Sequence, residues 1–567
     1  MMEKMFARIT GGSLSKGVEA HILRGFSPED VRASSIVVVS GAKNTYLALI
    51  SDLQLKSGSD IAEALVRSED GASNDLRVVQ EVAAEGLKRE GVLGAEITLI
   101  PIAVYRNGAV ERADNIPELM SRVRIPSIDD VESFYGRADC KRLWNIGKPK
   151  APIIGEDLAV FVPINVDVLV RGCFGIFGKS GTGKTFLGNI IATYIILANH
   201  TGAFEKKVKL LILDMHSEYG LKVKDQLGEE YADGVGLAFK YDFLRLTPDE
   251  ILSRESGLDM FMLSYRGITV EDLIASGEAL GFTRTFMDLL PSIAGLLKGQ
   301  FKDDWLKALC GFISDREDEQ VRKEVRERYG QGALMSLLSA RGRLARLARY
   351  EFIKWDDVEV DSASTVVSEI LDGGRSVVIS FGRYGDDRVA YMLIANILAR
   401  RLWSECIKRI MAGKKLKYRV VIFLEEAHKF LGPSVYFMTP FGNIARELRK
   451  RGVVLCIIDQ RPSQIFEDAR AMLWNNFVMC LTEDSDIEAA SKGLPHPKLF
   501  KPVIERLRRK EVLVFGEAIS VPSVVAVRDY GEAIEEAKKL YSELVSSEES
   551  VKIGEMFGYG RVKRGST

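Results

Sequence analysis

This 567-residue sequence predicts an α/β fold: a largely parallel sheet between layers of helices, preceded by a small β-barrel and interrupted by a helical insertion. Three observations carry that prediction. From about Leu158 the apolar runs CFGIFG, KLLILDM, SVVISF, YRVVIFLEE, VVLCIID and NFVMCLT recur, mostly separated by helical segments. They lack polar alternation, so such strands are buried on both faces, as in a parallel sheet covered by helices. The first 145 residues read differently. SSIVVVSG, NTYLALISDLQL and AEITLIPIAVYRNG are β-branched runs broken by Gly, Asn and Asp turn signals, with one helix expected around Val78 to Glu90. Between Pro248 and about Asp357, finally, the pattern is helical without strand signals.

The expected organisation follows: a barrel over residues 1–145, α/β core segments over 146–247 and 358–530, a helical subdomain over 248–357, and a C-terminal helix and tail over 531–567. The linker NIGKPKAPIIGED, rich in Gly and Pro, marks the first boundary.

Composition narrows the function classes. Hydrophobic residues make up 46% and charged residues 28%, as in an ordinary globular protein. The formal net charge is −1, so a polyanion site has to be a local patch or a channel lining. Six dispersed cysteines without a CxxC pair argue for reduced thiols, and five scattered histidines build no metal cage. The N-terminus lacks the apolar core of a signal peptide. The apolar helical stretch NIIATYIILA falls short of the ~20 residues that cross a bilayer. A cytoplasmic protein with no membrane partner is expected.

GKSGTGKT, Gly178 to Thr185, fits G-x-x-x-x-G-K-[ST] and lies between an apolar strand and a helix, the context that a phosphate loop requires. Glycines let backbone N–H groups curl around phosphate oxygens, and the helix points its positive end at them. The expected nucleotide-binding set is Gly178, Lys179, Ser180, Gly181, Thr182, Gly183, Lys184, Thr185 and Phe186, with Lys184 on the terminal phosphates and Thr185 on Mg²⁺. In VVIFLEEAHKF, Glu425 and Glu426 follow five apolar residues. Two acids at the carboxyl end of a buried strand need a cationic partner such as Mg²⁺–nucleotide. Glu425 is read as the metal's outer-shell carboxylate and Glu426 as the group that polarises the attacking water. His428 is open between a relay and a packed side chain. Two apolar runs separate the phosphate-loop strand from the EE strand in the sequence, which excludes the simplest layout and suits a RecA-like sheet.

RELRKRGVVLCIIDQRP poses its own question, since a buried strand needs no arginine-crowded neighbour. Gln460, at the strand's end, is read as a γ-phosphate sensor. Arg446, Arg449, Lys450 and Arg451 precede the strand and face either a neighbouring subunit's nucleotide or plain solvent.

Taken together, the β-rich N-terminal part, GKSGTGKT, LILDMHSEYG, IFLEEAH, RELRKRGV and DQRPSQI resemble the HerA family of hexameric DNA translocases and helicases, within the HerA/FtsK group of P-loop ATPases. The resemblance implies ATP and Mg²⁺ as cofactors, a homo-hexamer around double-stranded DNA, and a NurA-like nuclease docked on the barrel for end resection and repair. It implies Arg449 as a trans-acting finger, Glu426 as the catalytic glutamate, Gln460 as sensor, and Lys184 and Thr185 as the phosphate-loop pair. Asp214 and Glu218 take supporting roles. Leu448 stands where the family pattern expects glycine. Lys222 and Lys224 are candidate pore residues. An antiviral complex with another effector, a polypeptide-moving ATPase and a nucleotide-gated scaffold are the alternatives.

Overall fold

Residues 4–57, 93–224, 228–356 and 360–556 are described by the computed structural model of the protein, and the helix expected at 78–90 lies outside them. The chain divides into two compact units. Residues Met1–Leu169, Phe177–Lys184 and Trp474–Arg528 form the first, and Val170–Ile176, Thr185–Leu473 and Asp529–Thr567 the second.

The first unit opens with β1 (Met5–Ser13), β2 (Gly17–Ile22), β3 (Ile36–Ser40), β4 (Thr45–Ser57), β5 (Leu93–Arg106), β6 (Ala109–Arg112) and β7 (Arg122–Arg124). They pair in the order β2-β1-β7-β3-β4-β5, and β2 pairs back onto β5 to close a six-stranded barrel, with β6 attached to β5. Closure removes exposed sheet edges. The strand period of two sends Val37, Val39, Ala48, Ile50, Ile97 and Leu99 inward, where they meet Phe6, Val18 and Val123. Register shifts at Leu47/Ala48 and Ile50/Asp52 in β4 bend it around the barrel. β1, β2 and β7 carry little sequence signal because β7 is three residues long and Gly11 and Gly12 break the apolar pattern of β1. β8 (Leu143–Pro149) and β9 (Val162–Asn165) follow as an antiparallel pair.

The second unit holds β10 (Cys173–Phe177), β11 (Val208–Asp214), the hairpin β12 (Lys222–Lys224) and β13 (Glu230–Asp233), β14 (Phe243–Thr247), β15 (Asp259–Met260), β16 (Leu263–Ser264), β17 (Ile353–Lys354), β18 (Ser376–Ser380), β19 (Arg419–Glu425) and β20 (Val453–Asp459). Its sheet runs β15-β14-β18-β11-β19-β20-β10. The neighbours β15–β14, β14–β18, β18–β11, β11–β19 and β19–β20 are all parallel. β20 stands between the phosphate-loop strand β10 and the carboxylate strand β19, the interposition of a RecA-like sheet. All seven residues of β11 and of β20 are buried, including the acids that end them. The helix Lys184–His200 is apolar on every side and buries twelve consecutive residues from Leu187 to Ala198, so it packs as a core element instead of crossing a membrane. No helix among the described residues is long and apolar enough to do so.

Residues 248–356 are mostly helical, interrupted by the two-residue strands β15, β16 and β17, too short to leave a sequence pattern. The helix Asp315–Leu344 starts at a Ser314/Glu317 capping box and kinks at Gly330, whose φ of 87° an L-residue rarely adopts. The chain then returns to the first unit with β21 (Leu473–Val478), β22 (Glu511–Gly516) and β23 (Ser523–Val527), which join β8 and β9 in the order β21-β22-β23-β8-β9. Within that unit Arg506 donates to the Ser51 carbonyl at 2.9 Å and to Asp52 at 3.0 Å, fixing the helix Pro497–Glu505 over β4.

Candidate active site

The loop Gly178–Gly183 leaves the carboxyl end of β10, and Lys184 starts the following helix. Gly181 and Gly183 have φ of 74° and 110°, which is why glycine stands at both. Gly178 is required for another reason: a Cβ there would lie 2.7 Å from the Met479 Cβ and 2.8 Å from the Thr182 hydroxyl. The loop's ends are tied down by Lys179 N–H donating to the Cys480 carbonyl at 3.0 Å and by Lys510 N–H donating to the Thr182 carbonyl at 3.0 Å. The Lys184 ammonium donates to the carbonyls of Gly178 at 2.8 Å and Lys179 at 2.9 Å, so it lies across the loop it belongs to. The curled backbone, the lysine and the helix N-terminus make a cradle that fits phosphate oxygens. Ser180 and Gly181 at its tip are exposed. Phe186, the next ring along, packs against Tyr231 and Tyr530 at 5.9 and 5.8 Å.

In the second unit, register collects the polar strand ends. Asp214 pairs with Ser380 across β11 and β18, Leu213 with Leu424 across β11 and β19, and Glu425 with Ile458 across β19 and β20. Ser380, Asp214, Glu425 and Asp459 therefore end four adjacent strands at one edge, each after a run of buried apolar residues. This is the carboxyl end of the sheet, where α/β proteins bind ligands. Asp214 is fully buried and accepts from the N–H groups of Glu218, Tyr219 and Gly220 at 2.8, 3.1 and 2.8 Å and from the Ser380 hydroxyl at 2.7 Å. Its carboxylate thus shapes the turn that carries Glu218. The Thr185 hydroxyl is near enough to the Glu218 carboxylate to favour its charged form, against the burial that raises its pKa. Glu425 accepts from the Met215 N–H at 2.9 Å, bridging β11 and β19.

Glu426 stands apart in its backbone. Its φ of 47° is left-handed, a conformation costing a non-glycine residue on the order of 1–2 kcal/mol. Through it the chain reverses at the end of β19, so the two acids do not share the strand's alternation. The Glu426 carboxylate accepts from the Gln460 amide at 2.9 Å and lies 3.6 Å from the His428 ring. His428 is half-buried and held by Asp459 at both its N–H, 2.7 Å, and Nδ1, 3.0 Å, which raises its pKa, the Asp459 hydrogen bond being the main cause.

Burial raises the pKa of Asp214, Glu218 and Glu425, and their mutual repulsion raises those of Glu218 and Glu425 further, with Glu426 adding to that of Glu425. Five carboxylates, Asp459 among them, crowd one strand edge, with Lys429, itself half-buried and its pKa lowered by burial, as the nearby ammonium. Among the described residues no group of three or more His, Cys, Asp or Glu forms a metal cage. The carboxylate of Glu425 and the hydroxyl of Thr185 are oxygen donors, the ligand type that a hard cation such as Mg²⁺ takes.

The arginine segment is less regular than its sequence suggests. Pro440–Asn443 is one α-turn, Ile444–Leu448 a π-turn and Arg449–Arg451 a 3₁₀ turn. Leu448, standing where glycine was expected, is fully buried and turns the backbone's basic positions outward. Arg446, Lys450 and Arg451 are exposed and Arg449 is half-exposed. Arg446 donates to Asn443 at 2.8 Å and lies over the Tyr436 ring. Lys222 is on β12, ion-paired to Glu230 at 2.6 Å.

Sequence reasoning missed Asp459 and Ser380. Asp459 had a signal, an acid directly after the apolar run VVLCII, the same pattern that exposed Glu425. Ser380 had none, because a serine ending a strand is common.

Residues 146–275 match the family model described as the central domain of helicase HerA. The DNA double-strand break repair helicase HerA of Sulfurisphaera tokodaii is 23% identical over 464 residues, covering 81% of this chain and 82% of that protein. Its counterpart from Sulfolobus acidocaldarius is 22% identical over 511 residues, 88% of this chain and 89% of that one. A shorter match, 31% over 120 residues, links 21% of the chain to 22% of the Pyrococcus furiosus protein of the same name. The chain is a P-loop ATPase, similar over most of its length to the HerA helicases and matching the model of their central domain at residues 146–275.

Proposed function

We propose that the protein is a homo-hexameric ATP-driven translocase on double-stranded DNA, working with a nuclease in the processing of DNA ends. The observation that carries this reading is the strand edge where Glu425 ends β19 and Glu426, turned by a left-handed backbone, bonds Gln460 at 2.9 Å. A carboxylate so placed polarises an attacking water, and an amide bonded to it registers whether the γ-phosphate is present. Lys184 and the loop Gly178–Thr185 bind the phosphates. Mg²⁺, held by the Thr185 hydroxyl and by Glu425 through water, would neutralise charge on the phosphate oxygens. Glu218 orients the Thr185 hydroxyl, and Asp214 holds the turn that presents Glu218. Asp459 fixes the His428 ring beside Glu426.

Arg449 follows the π-turn and is half-exposed, between the exposed Arg446 and Lys450, which supports its use by a neighbouring subunit's nucleotide. A π-turn inside a helix is rare and frequently marks a functional position. The relatives named as DNA repair helicases supply the DNA reading. The barrel supports a docking role: Met120 donates its N–H to Ile9 and accepts from Arg8, both at 2.9 Å, while Leu119 and Met120 remain 69% and 60% exposed. An ordered loop presenting apolar side chains to water suits a protein partner such as a nuclease.

The test is solution mass together with nuclease pull-down. A particle six times the chain's mass that retains a NurA-type nuclease, and loses it on Leu119→Asp/Met120→Asp, supports the reading. A monomer under nucleotide-saturated conditions contradicts it.

A further inference from the structure

From Arg328 to Tyr350 the chain contains five arginines and no carboxylate. Two of them are neutralised. Arg328 pairs with Glu324 at 3.8 Å, and Arg341, buried, pairs with Asp318 and donates to the carbonyls of Leu309 and Ala308 at 3.1 and 2.9 Å. Arg343, Arg346 and Arg349 make neither a hydrogen bond nor an ion pair among the described residues. They contrast with Arg383, Arg388, Arg400, Arg401 and Arg409 of the same unit, each of which is ion-paired.

These three fall in a triplet pattern, Gly342-Arg343-Leu344, Ala345-Arg346-Leu347, Ala348-Arg349-Tyr350. The end of the helix Asp315–Leu344 runs into a 3₁₀ turn, Ala345–Arg349, and that period of three matches the triplet. Leu344, Leu347 and Tyr350 are buried at 0%, 0% and 6% exposure and anchor one face. Gly342, Ala345 and Ala348 are exposed and small, and Arg346 and Arg349 are exposed beside them, with Arg343 half-exposed. A 3₁₀ rise of about 2 Å per residue sets the backbone positions of Arg346 and Arg349 roughly 6 Å apart along the axis, with Arg343 three residues before them at the end of the α-helix. The outer face is therefore a row of three unneutralised cations beside small side chains, which lets a ligand's backbone come close.

We propose that Arg343, Arg346 and Arg349 form a contact for the phosphate backbone of duplex DNA, resting on the reading of the protein as a DNA translocase. A row of cations with no partner of its own answers a row of anions, and a phosphodiester backbone presents one. Guanidinium groups suit phosphate through paired N–H donors. The row is also attached to the nucleotide site. Tyr350 donates to Asp387 at 3.0 Å, and Glu351 pairs with Arg383. Their loop joins the acid cluster where Gly382 N–H donates to the Ser217 hydroxyl at 2.9 Å and Phe381 N–H donates to the Asp214 carbonyl at 3.1 Å.

The test uses the full-length protein and a fluorescently labelled linear duplex, with affinity followed against salt. Replacing all three by glutamine (R343Q/R346Q/R349Q) is expected to lower the slope of log affinity against log salt by about 2–3, near 0.9 for each phosphate no longer neutralised, and to weaken binding at 0.1 M salt on the order of 10²-fold. DNA-independent ATP hydrolysis and assembly mass stay unchanged. The triple lysine variant, which keeps the charge, restores most of the slope. A glutamine variant that binds duplex with wild-type affinity and slope overturns this inference alone. A wild-type protein that binds no duplex overturns it together with the translocase reading, and an arginine-dependent affinity for heparin or RNA but not duplex overturns the assignment to DNA.

Discussion

Replacing Glu426 separates chemistry from fold. In Glu426→Gln the amide oxygen still accepts from Gln460, whose present bond is 2.9 Å, and the side-chain volume is kept, so the net change in stability is expected to stay within about 1 kcal/mol. One of five crowded carboxylates loses its charge, so nucleotide affinity is expected to hold or tighten. Loss of the group that polarises water costs general-base catalysis, about 10²–10⁴ in kcat, or roughly 3–5 kcal/mol of barrier. Glu426→Gly adds a second reading. Its φ of 47° suits glycine, so relief of backbone strain is expected to raise stability by on the order of 1 kcal/mol while hydrolysis is lost as well. Single-turnover hydrolysis, nucleotide titration and thermal melting measure the three quantities separately. The reasoning fails if Glu426→Gln loses less than about tenfold in kcat, or if its affinity for ATP falls as steeply as its rate.

Asp214→Asn puts an amide N–H₂ against buried N–H donors and breaks at least one charge-assisted bond, so a loss of about 2–4 kcal/mol is expected in denaturant melts; an unchanged midpoint would show that the turn holds itself. Mixing Arg449→Ala with Lys184→Ala subunits is expected to restore part of the ATPase activity that each lacks alone, because one supplies the arginine and the other the nucleotide. Absence of any recovery in confirmed mixed assemblies would count against a finger in trans. Lys209 is buried, lies over the Tyr418 ring at 4.9 Å and has its pKa pushed down to about 8 by burial. The unfolded lysine titrates near 10.4, so the unfolded state holds more protons between pH 8 and 10.4 and stability is expected to rise with pH through that window, by on the order of 3 kcal/mol. Lys209→Met removes that rise, which melts at pH 7, 8.5 and 10 would reveal.

The parallel core was legible because strands buried on both faces have no polar interruptions, and Glu425 at the end of β19, with Glu426 after it, broke that rule visibly. The phosphate loop was legible because its glycines answer backbone demands that no other residue meets. Asp459 is overshadowed in the sequence by its neighbour Gln460, although the buried strand ends on the acid. The clamp it makes on His428 depends on a turn across β19 and β20 that no local pattern encodes. The basic segment before β20 reads as a regular helix, but buried Leu448 and the π-turn are products of packing. The triplet Gly/Ala-Arg-Leu/Tyr is visible in the sequence, yet its meaning needs the ion pairs around it: only the structure shows which arginines are already answered.

Steady-state ATP hydrolysis with and without linear duplex DNA, at low and moderate salt, tests the central claim most directly. Severalfold stimulation that fades as salt rises is the result the account predicts, since grip on a phosphate backbone is sequence-independent and salt-sensitive. A slow rate indifferent to duplex at both salts would contradict a DNA translocase.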